Sequence, residues 1–496
     1  MLRTLASSLA LTAALLAGCG STVVNPVTGR SERTVMDERT ELAEGKKAHE
    51  EVLKEYGIYP DPKLQAYVNE VGQKLAKQSH RANIPWTFTV LDSPEVNAFA
   101  LPGGYVYITR GILAYMESEA DMAGVIGHEI GHVTARHGAQ RATRQQTAGL
   151  GVLAATVLGA VLESKVGLAG GTEMFGQAAQ GMAAGYVAKY SREQELQADT
   201  LGAEYLARSQ YDPRHMVDVI RVLKLQEAFA VDEAKAQGLP APEGANWLSS
   251  HPSNDQRLQA ISQNAAKYQG NYASDGAQRF LQVVQGMRFG ESPEQGLTRG
   301  QNFYHPGLGI AMTAPAGWRI ENDAEAVSFV APQGDAALRV LAVPRSAGTD
   351  HDAIIRDGLK PSEGKLTRGN VNGFAASHFV GARRLDNGQT QALEVTLVTG
   401  PKQNAYLMAY LSADAPARNR AMPGLMATEK SFRAITAADQ QAARPWQLRT
   451  VPFPRGGYAE LARQSAVSEK RLQLLNGSYG RADPPVGQMV KTVVEQ

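Results

Sequence analysis

Polar and apolar positions in the first half of the chain recur mostly at helical spacing. Glu38 to Tyr56 reads as a charged helix ending at Gly57, where a helix C-terminus favours glycine. A second helix follows Asp61-Pro62, with Leu64, Tyr67, Val68, Val71 and Leu75 as its core-facing stripe. Trp86 to Leu91 and Tyr105 to Thr109 alternate like strands, the second after a turn at Pro102-Gly103-Gly104. Ser118 stands where a helix cap belongs, and Glu119 to about His137 reads as one helix. Further helices are expected over Ser191 to Ser209, Arg214 to Phe229 and Asp255 to Tyr268. Gly, Pro and polar residues around 291–301 mark a boundary, and 303–438 shows alternating segments such as Val327-Ser328-Phe329-Val330 with two helical stretches. The fold class is α+β. It comprises a mostly helical domain with a small sheet (38–290), a separate α+β domain (301–438) without catalytic spacing, and a small C-terminal module (446–496).

Composition narrows the chemistry. With 496 residues, 43% hydrophobic and 20% charged, the chain can bury more than one core. Fifty Lys+Arg against 49 Asp+Glu leave a net charge of +1, and the absence of a dense basic run argues against nucleic acid as a partner. A single cysteine excludes internal disulfides and multi-thiolate metal sites, so any metal must use His and carboxylates.

The start of the chain assigns that cysteine a different use. Arg3, an apolar stretch from Leu5 to Leu16, and Leu16-Ala17-Gly18-Cys19 have the zones of a secretory signal peptide, too short to span a bilayer. The segment resembles a bacterial lipobox, which implies a signal peptide over 1–18, lipid on Cys19 and a lipidated polar tether over 19–37. Gly20 after the cysteine, in place of Asp, implies the outer membrane with the protein facing the periplasm. Gln145 to Leu162 lacks charge but is rich in Gly and Ala, and we read it as soluble or interfacial rather than spanning.

The strongest chemical signal is His128-Glu129-Ile130-Gly131-His132, since two imidazoles four apart share one helical face within reach of a single ion. Such a pair suits zinc. A catalytic zinc needs three protein ligands and an open position, and Glu195, in Ser191-Arg192-Glu193-Gln194-Glu195-Leu196-Gln197-Ala198-Asp199, completes a His-His-Glu set. Asp199, one turn on, is placed to accept the spare ring N–H of a ligand histidine, His128 in particular. Glu193 points away from the face that Glu195 and Asp199 share. His137 lies off the face of the histidine pair and reads as structural.

With Asn97-Ala98-Phe99-Ala100-Leu101-Pro102-Gly103-Gly104 ahead of them, these motifs resemble the HtpX/BepA group of zinc metallopeptidases, relatives of the CAAX prenyl protease. The likeness runs from about Glu38 to Tyr268. It implies Zn2+ held by His128, His132 and Glu195, Glu129 as general base, Asp199 as support, and an edge strand at Asn97 and Ala98 that binds substrate in extended form. His251, in Ser250-His251-Pro252-Ser253, matches a motif placed near the metal, either as a ligand in a closed state or as an oxyanion partner, with Arg257 as a lesser companion. No tetratricopeptide pattern is present in the C-terminal half. Tyr458-Ala459-Glu460-Leu461-Ala462, Leu474-Leu475-Asn476-Gly477 and Pro485-Val486-Gly487-Gln488 resemble a LysM module, whose relatives bind peptidoglycan.

These expectations add up to a lipid-anchored periplasmic zinc endopeptidase that cleaves misfolded or stalled envelope proteins, in outer-membrane protein quality control. The alternative is an envelope chaperone or peptidoglycan-binding scaffold with minor proteolysis.

Overall fold

The computed structural model describes residues 21–149, 190–236, 251, 255–323, 325–385 and 389–496. Cys19, and the Gly/Ala-rich stretch beyond Gly149, lie outside the described residues. No helix among the described residues is long and apolar enough to cross a membrane. The described residues divide into two compact units, one drawn from residues 21–149, 190–289 and 447–494, the other from 290–446 and 495–496.

The first unit opens with an antiparallel hairpin, β1 (Ser21–Val24) and β2 (Ser31–Thr34). The hairpin lies within the segment read as a polar tether. Asn25 holds the turn, its side-chain oxygen accepting from Val27 N at 2.9 Å and Thr28 N at 3.2 Å, while Gly29 takes φ 67°. Helix α1 (Glu38–Tyr56) starts at the Asp37 cap, and α2 (Pro62–Ala76) starts at Asp61 with proline at its first position. A three-stranded sheet follows, of β3 (Thr87–Leu91), β4 (Ala98–Leu101) and β5 (Tyr105–Thr109) in the order β3-β5-β4, with β4 at an edge.

After a short helix α3 (Arg110–Tyr115), the capped α4 (Glu119–Thr134) is buried along its whole length. It ends three residues before the expected His137, because Arg136 turns to φ 60° before α5 (His137–Gly149) begins. The buried Arg136 side chain offsets that left-handed turn by bonding Met36 O at 2.5 Å and pairing with Glu41 at 3.2 Å. Helix α6 (Arg192–Arg208) begins in a capping box of Ser191 and Gln194. Next come α7 (His215–Ala236), which runs past the expected Phe229, then α8 (Asp255–Ala265), which ends short of Tyr268, and α9 (Ala277–Val284). A final three-stranded sheet joins β6 (Arg288–Phe289) to two strands of the C-terminal residues described below.

The second unit contains a small sheet of β7 (Leu297–Arg299), β8 (Asn302–His305), β9 (Ile310–Thr313) and a later strand, β17 (Arg433–Ala434). Its main sheet has seven antiparallel strands: β10 (Arg319–Asn322), β11 (Ala326–Val330), β12 (Ala336–Ala342), β13 (Glu363–Val371), β14 (Phe374–Arg384), β15 (Thr390–Thr399) and β16 (Ala405–Ser412). They lie in the order β10-β11-β12-β16-β15-β14-β13. Helix α10 (Ala415–Lys430) adds Leu425 to a core of Trp318, Phe329, Met408 and Phe432, and a second core gathers Ile354, Leu359, Phe379 and Leu407. A short α11 (Ala437–Ala442) precedes the tail.

The tail runs β18 (Trp446–Pro452), α12 (Gly457–Ala462), α13 (Glu469–Leu475) and β19 (Met489–Glu495). Sequence periodicity treats it as a separate module, but residues 447–494 pack into the first unit. The three-stranded sheet has the order β19-β18-β6, and the Lys491 ammonium donates to Ala114 O at 2.7 Å and Met116 O at 2.6 Å.

Candidate metal centre

The close approach of α4 to α6 builds the site. A Cβ on Gly131 would lie 2.8 Å from Ala198 O, and one on Gly202 would lie 3.1 Å from His128 N, so glycine at both positions lets the two backbones touch. This contact lays Glu195 against the two histidines, and it explains the glycine inside the HEIGH motif.

Ligand atoms of His128, His132, Glu195 and His251 all fall within 4.8 Å of one another, and all four residues are buried. His128 Nε2 is 3.0 Å from His132 Nε2 and 3.2 Å from His251 Nδ1. Glu195 Oε1 is 3.0 Å from His251 Nδ1 and 3.5 Å from His132 Nε2. A tetrahedral zinc with bonds of about 2.0–2.1 Å separates its ligand atoms by about 3.3 Å, so these four edges match what zinc demands, and the nitrogen and carboxylate donors suit it. His251 stands as the fourth member of the cluster, the placement expected of it in a closed state.

Burial holds the His132 imidazole well below its usual pKa, leaving it neutral with a lone pair to give. Burial alone would raise the Glu195 carboxyl. The charge and hydrogen bond of His251 and the Arg257 guanidinium outweigh it and keep the group ionised. Burial likewise works against protonation of His251, but the Glu195 and Glu129 carboxylates raise its pKa. Glu193 is exposed, as its place on the helix requires.

The surrounding groups are as organised as the donors. Asp199 Oδ1 lies 2.8 Å from His128 Nδ1, so His128 turns Nε2 to the shared point. Arg257, underrated by sequence reasoning, grips Asp199 with two nitrogens at 2.7 and 2.9 Å, meets Glu195 Oε2 at 2.7 Å, and donates to His251 O at 3.1 Å. Its position in the sequence, six residues after His251, carries no signal of this, because the partners come from another helix. His137, read as structural, touches a donor histidine, its Nδ1 lying 2.9 Å from His132 Nδ1, and its Nε2 lies 3.0 Å from Gln197 Oε1. The Tyr190 ring stacks on His132 with centroids 3.9 Å apart. Glu129 Oε1 stands 3.6 Å from His251 Nε2.

Ala98 opens the edge strand β4, and Asn97 precedes it, its N–H donating to Thr109 Oγ1 at 3.2 Å. The cleft beside His132 is lined from β4 by Ala100 and Leu101, further along the strand than the expected pair, together with Val133, Ala139 and Tyr190.

Residues 62–265 match the family model described as Peptidase family M48. This stretch is a peptidase M48 domain. It contains the four converging side chains and Glu129. Among similar proteins, the beta-barrel assembly-enhancing protease of Yersinia pestis is 29% identical over 268 residues, 52% of this chain and 52% of that one. The protein of the same name from Escherichia coli (strain K12) is 31% identical over 202 residues, 40% of this chain and 38% of its own. The mitochondrial metalloendopeptidase OMA1 of Arabidopsis thaliana is 30% identical over 211 residues, 42% and 38% of the two chains. The chain thus spans about half, or less, of the length of these relatives. The solution structure of PsbP from Synechocystis aligns over 29% of this chain and 98% of its own, with 14% identity and a TM-score of 0.21.

Proposed function

We propose that the chain is a zinc endopeptidase of the bacterial envelope that cleaves misfolded or stalled envelope polypeptides, in support of outer-membrane protein assembly. The observation that carries this reading is the convergence of His128, His132, Glu195 and His251 beside Glu129. The names of the relatives supply the envelope context.

Zinc bound there supplies a Lewis acid. Glu129, fully buried beside that point, takes the proton of an attacking water and returns it to the leaving amine. His128, His132 and Glu195 would hold the ion, and Asp199 orients His128. His251 would be a further ligand in the closed state and would have to leave that place for substrate to enter. Once displaced, its Nε2–H is a donor for the oxyanion. An extended substrate segment pairs with the free edge of β4 from Asn97 and Ala98 onward, which directs a side chain toward the cleft at Leu101 and Tyr190.

Lipid on Cys19 would anchor the protein to the outer membrane, facing the periplasm. The strand-helix-helix-strand order of the tail supports a second reading, in which residues 446–496 bind peptidoglycan.

The test measures zinc content and casein cleavage together on wild type, Glu129→Gln and His251→Ala. Glu129→Gln keeps its zinc and loses cleavage. His251→Ala keeps zinc and gains activity if His251 acts chiefly as a plug, or loses it if oxyanion support dominates. Cleavage by Glu129→Gln at the wild-type rate would overturn the mechanism.

A further inference from the structure

Each ligand imidazole needs its remaining ring nitrogen to carry the proton, since only then does the other nitrogen offer a lone pair. For His128 a carboxylate settles the matter, because Asp199 only accepts. For His132 the neighbour is a second imidazole, and two facing imidazole nitrogens can share their proton in either order. Something beyond His137 must decide.

We propose that Gln197 makes that decision and is a positioning residue for the metal. Its Oε1 lies 3.0 Å from His137 Nε2 and accepts the proton there. His137 Nδ1 is then a bare acceptor, 2.9 Å from His132 Nδ1, and His132 must donate to it. His132 Nε2 is left with its lone pair directed at the point where His128 Nε2 and Glu195 also aim. Turning the Gln197 amide over reverses every step. Its NH2 would donate to His137 Nε2, His137 Nδ1–H would donate to His132, and the His132 proton would sit on Nε2, facing the metal. One amide orientation therefore permits binding and the other opposes it. His132 and His137 are buried, so no bulk water can replace the relay.

Gln197 shares α6 with Glu195 and Asp199, so one helix supplies a ligand and the proton order of both ligand histidines. Asp199 acts on His128 in one step, and Gln197 acts on His132 in two.

The experiment replaces Gln197 by a side chain that only accepts (Gln197→Glu), one that only donates (Gln197→Lys) and one that does neither (Gln197→Leu). Zinc affinity is read by chelator competition on the full chain. Nitrogen NMR of the His132 ring, with zinc removed, reports which nitrogen bears the proton. Glu193→Lys, on the exposed side of the same helix, calibrates the effect of charge alone. The expected order of affinity is Glu at or above Gln, then Leu, then Lys, with Leu weaker than wild type by about 10- to 100-fold. His132 should carry its proton on Nδ1 in wild type and Gln197→Glu, and on Nε2 in Gln197→Lys. The proposal fails if the Leu variant binds zinc as wild type does, if the Lys variant falls only as far as Glu193→Lys, or if the ring proton stays on one nitrogen throughout.

Discussion

Both compact units bury histidines among polar groups, and among the described residues only the first gathers them into a candidate metal centre. In the sheet-rich unit, His351 is 5% exposed, with Nδ1 2.7 Å from Ser377 Oγ and Nε2 2.9 Å from Thr399 Oγ1. Each of its nitrogens meets a separate hydroxyl, and the ring pins two neighbouring strands. In the M48 domain each of His128 and His132 gives one nitrogen to an outer partner and the other to a point shared with Glu195 and His251. Burial and hydrogen bonding are common to both places. Convergence of lone pairs on a single point distinguishes the candidate metal centre, and that difference can be broken from either side.

The largest effect should come from Glu129→Gln, which leaves the convergent donors intact and removes the proton carrier. Cleavage should fall by about 10²- to 10⁴-fold with zinc content unchanged, as measured by metal analysis and casein hydrolysis on the same sample. His132→Ala should lose the metal as well, which separates holding the ion from using it.

A smaller loss should follow Arg257→Met, because the buried Asp199 and Glu195 carboxylates lose the cation between them. Removing one partner of a buried ion pair costs about 3–5 kcal/mol, so the first unit should melt earlier, and zinc should protect it less. Denaturant unfolding with and without zinc measures both. In the other unit, His351→Leu leaves Ser377 and Thr399 without their ring partner and should cost about 1–3 kcal/mol in that unit's unfolding. Zinc binding and cleavage should not change. If His351→Leu alters zinc affinity, the contrast between the two histidine sites is wrong.

The parts of this contrast that depend on local spacing were legible in the sequence. His128 and His132 are one helical turn apart, Glu195 and Asp199 likewise, and the cap at Ser118 announces the helix that carries the histidine pair. What depends on long-range pairing was not. Arg257 reads only as a lesser companion of His251 until α8 meets α6, and Gln197 has no assigned role until His137 faces it. The break at Arg136 escaped because a non-glycine residue takes the left-handed conformation there, held by Met36 and Glu41 from distant sequence. The tail looked independent because nothing in its periodicity records pairing with Arg288–Phe289.

The docking of that tail gives the smallest expected effect and the most specific one. Lys491 is buried against the loop that leads into α4, where its ammonium bonds Ala114 O and Met116 O and faces Glu117 and Asp121. Burial lowers its pKa from 10.5 to about 8, although the two carboxylates pull the other way. Between those values the unfolded chain holds a proton that the folded one has given up. Stability therefore rises with pH across this window, by at most about 1.4 kcal/mol per pH unit. Chemical unfolding of the first unit between pH 8 and 9 should show that upward slope in wild type and lose it in Lys491→Met. The variant should also be less stable at pH 7.5, because Ala114 O and Met116 O lose their donor. A flat wild-type profile would mean that the tail does not keep Lys491 dry.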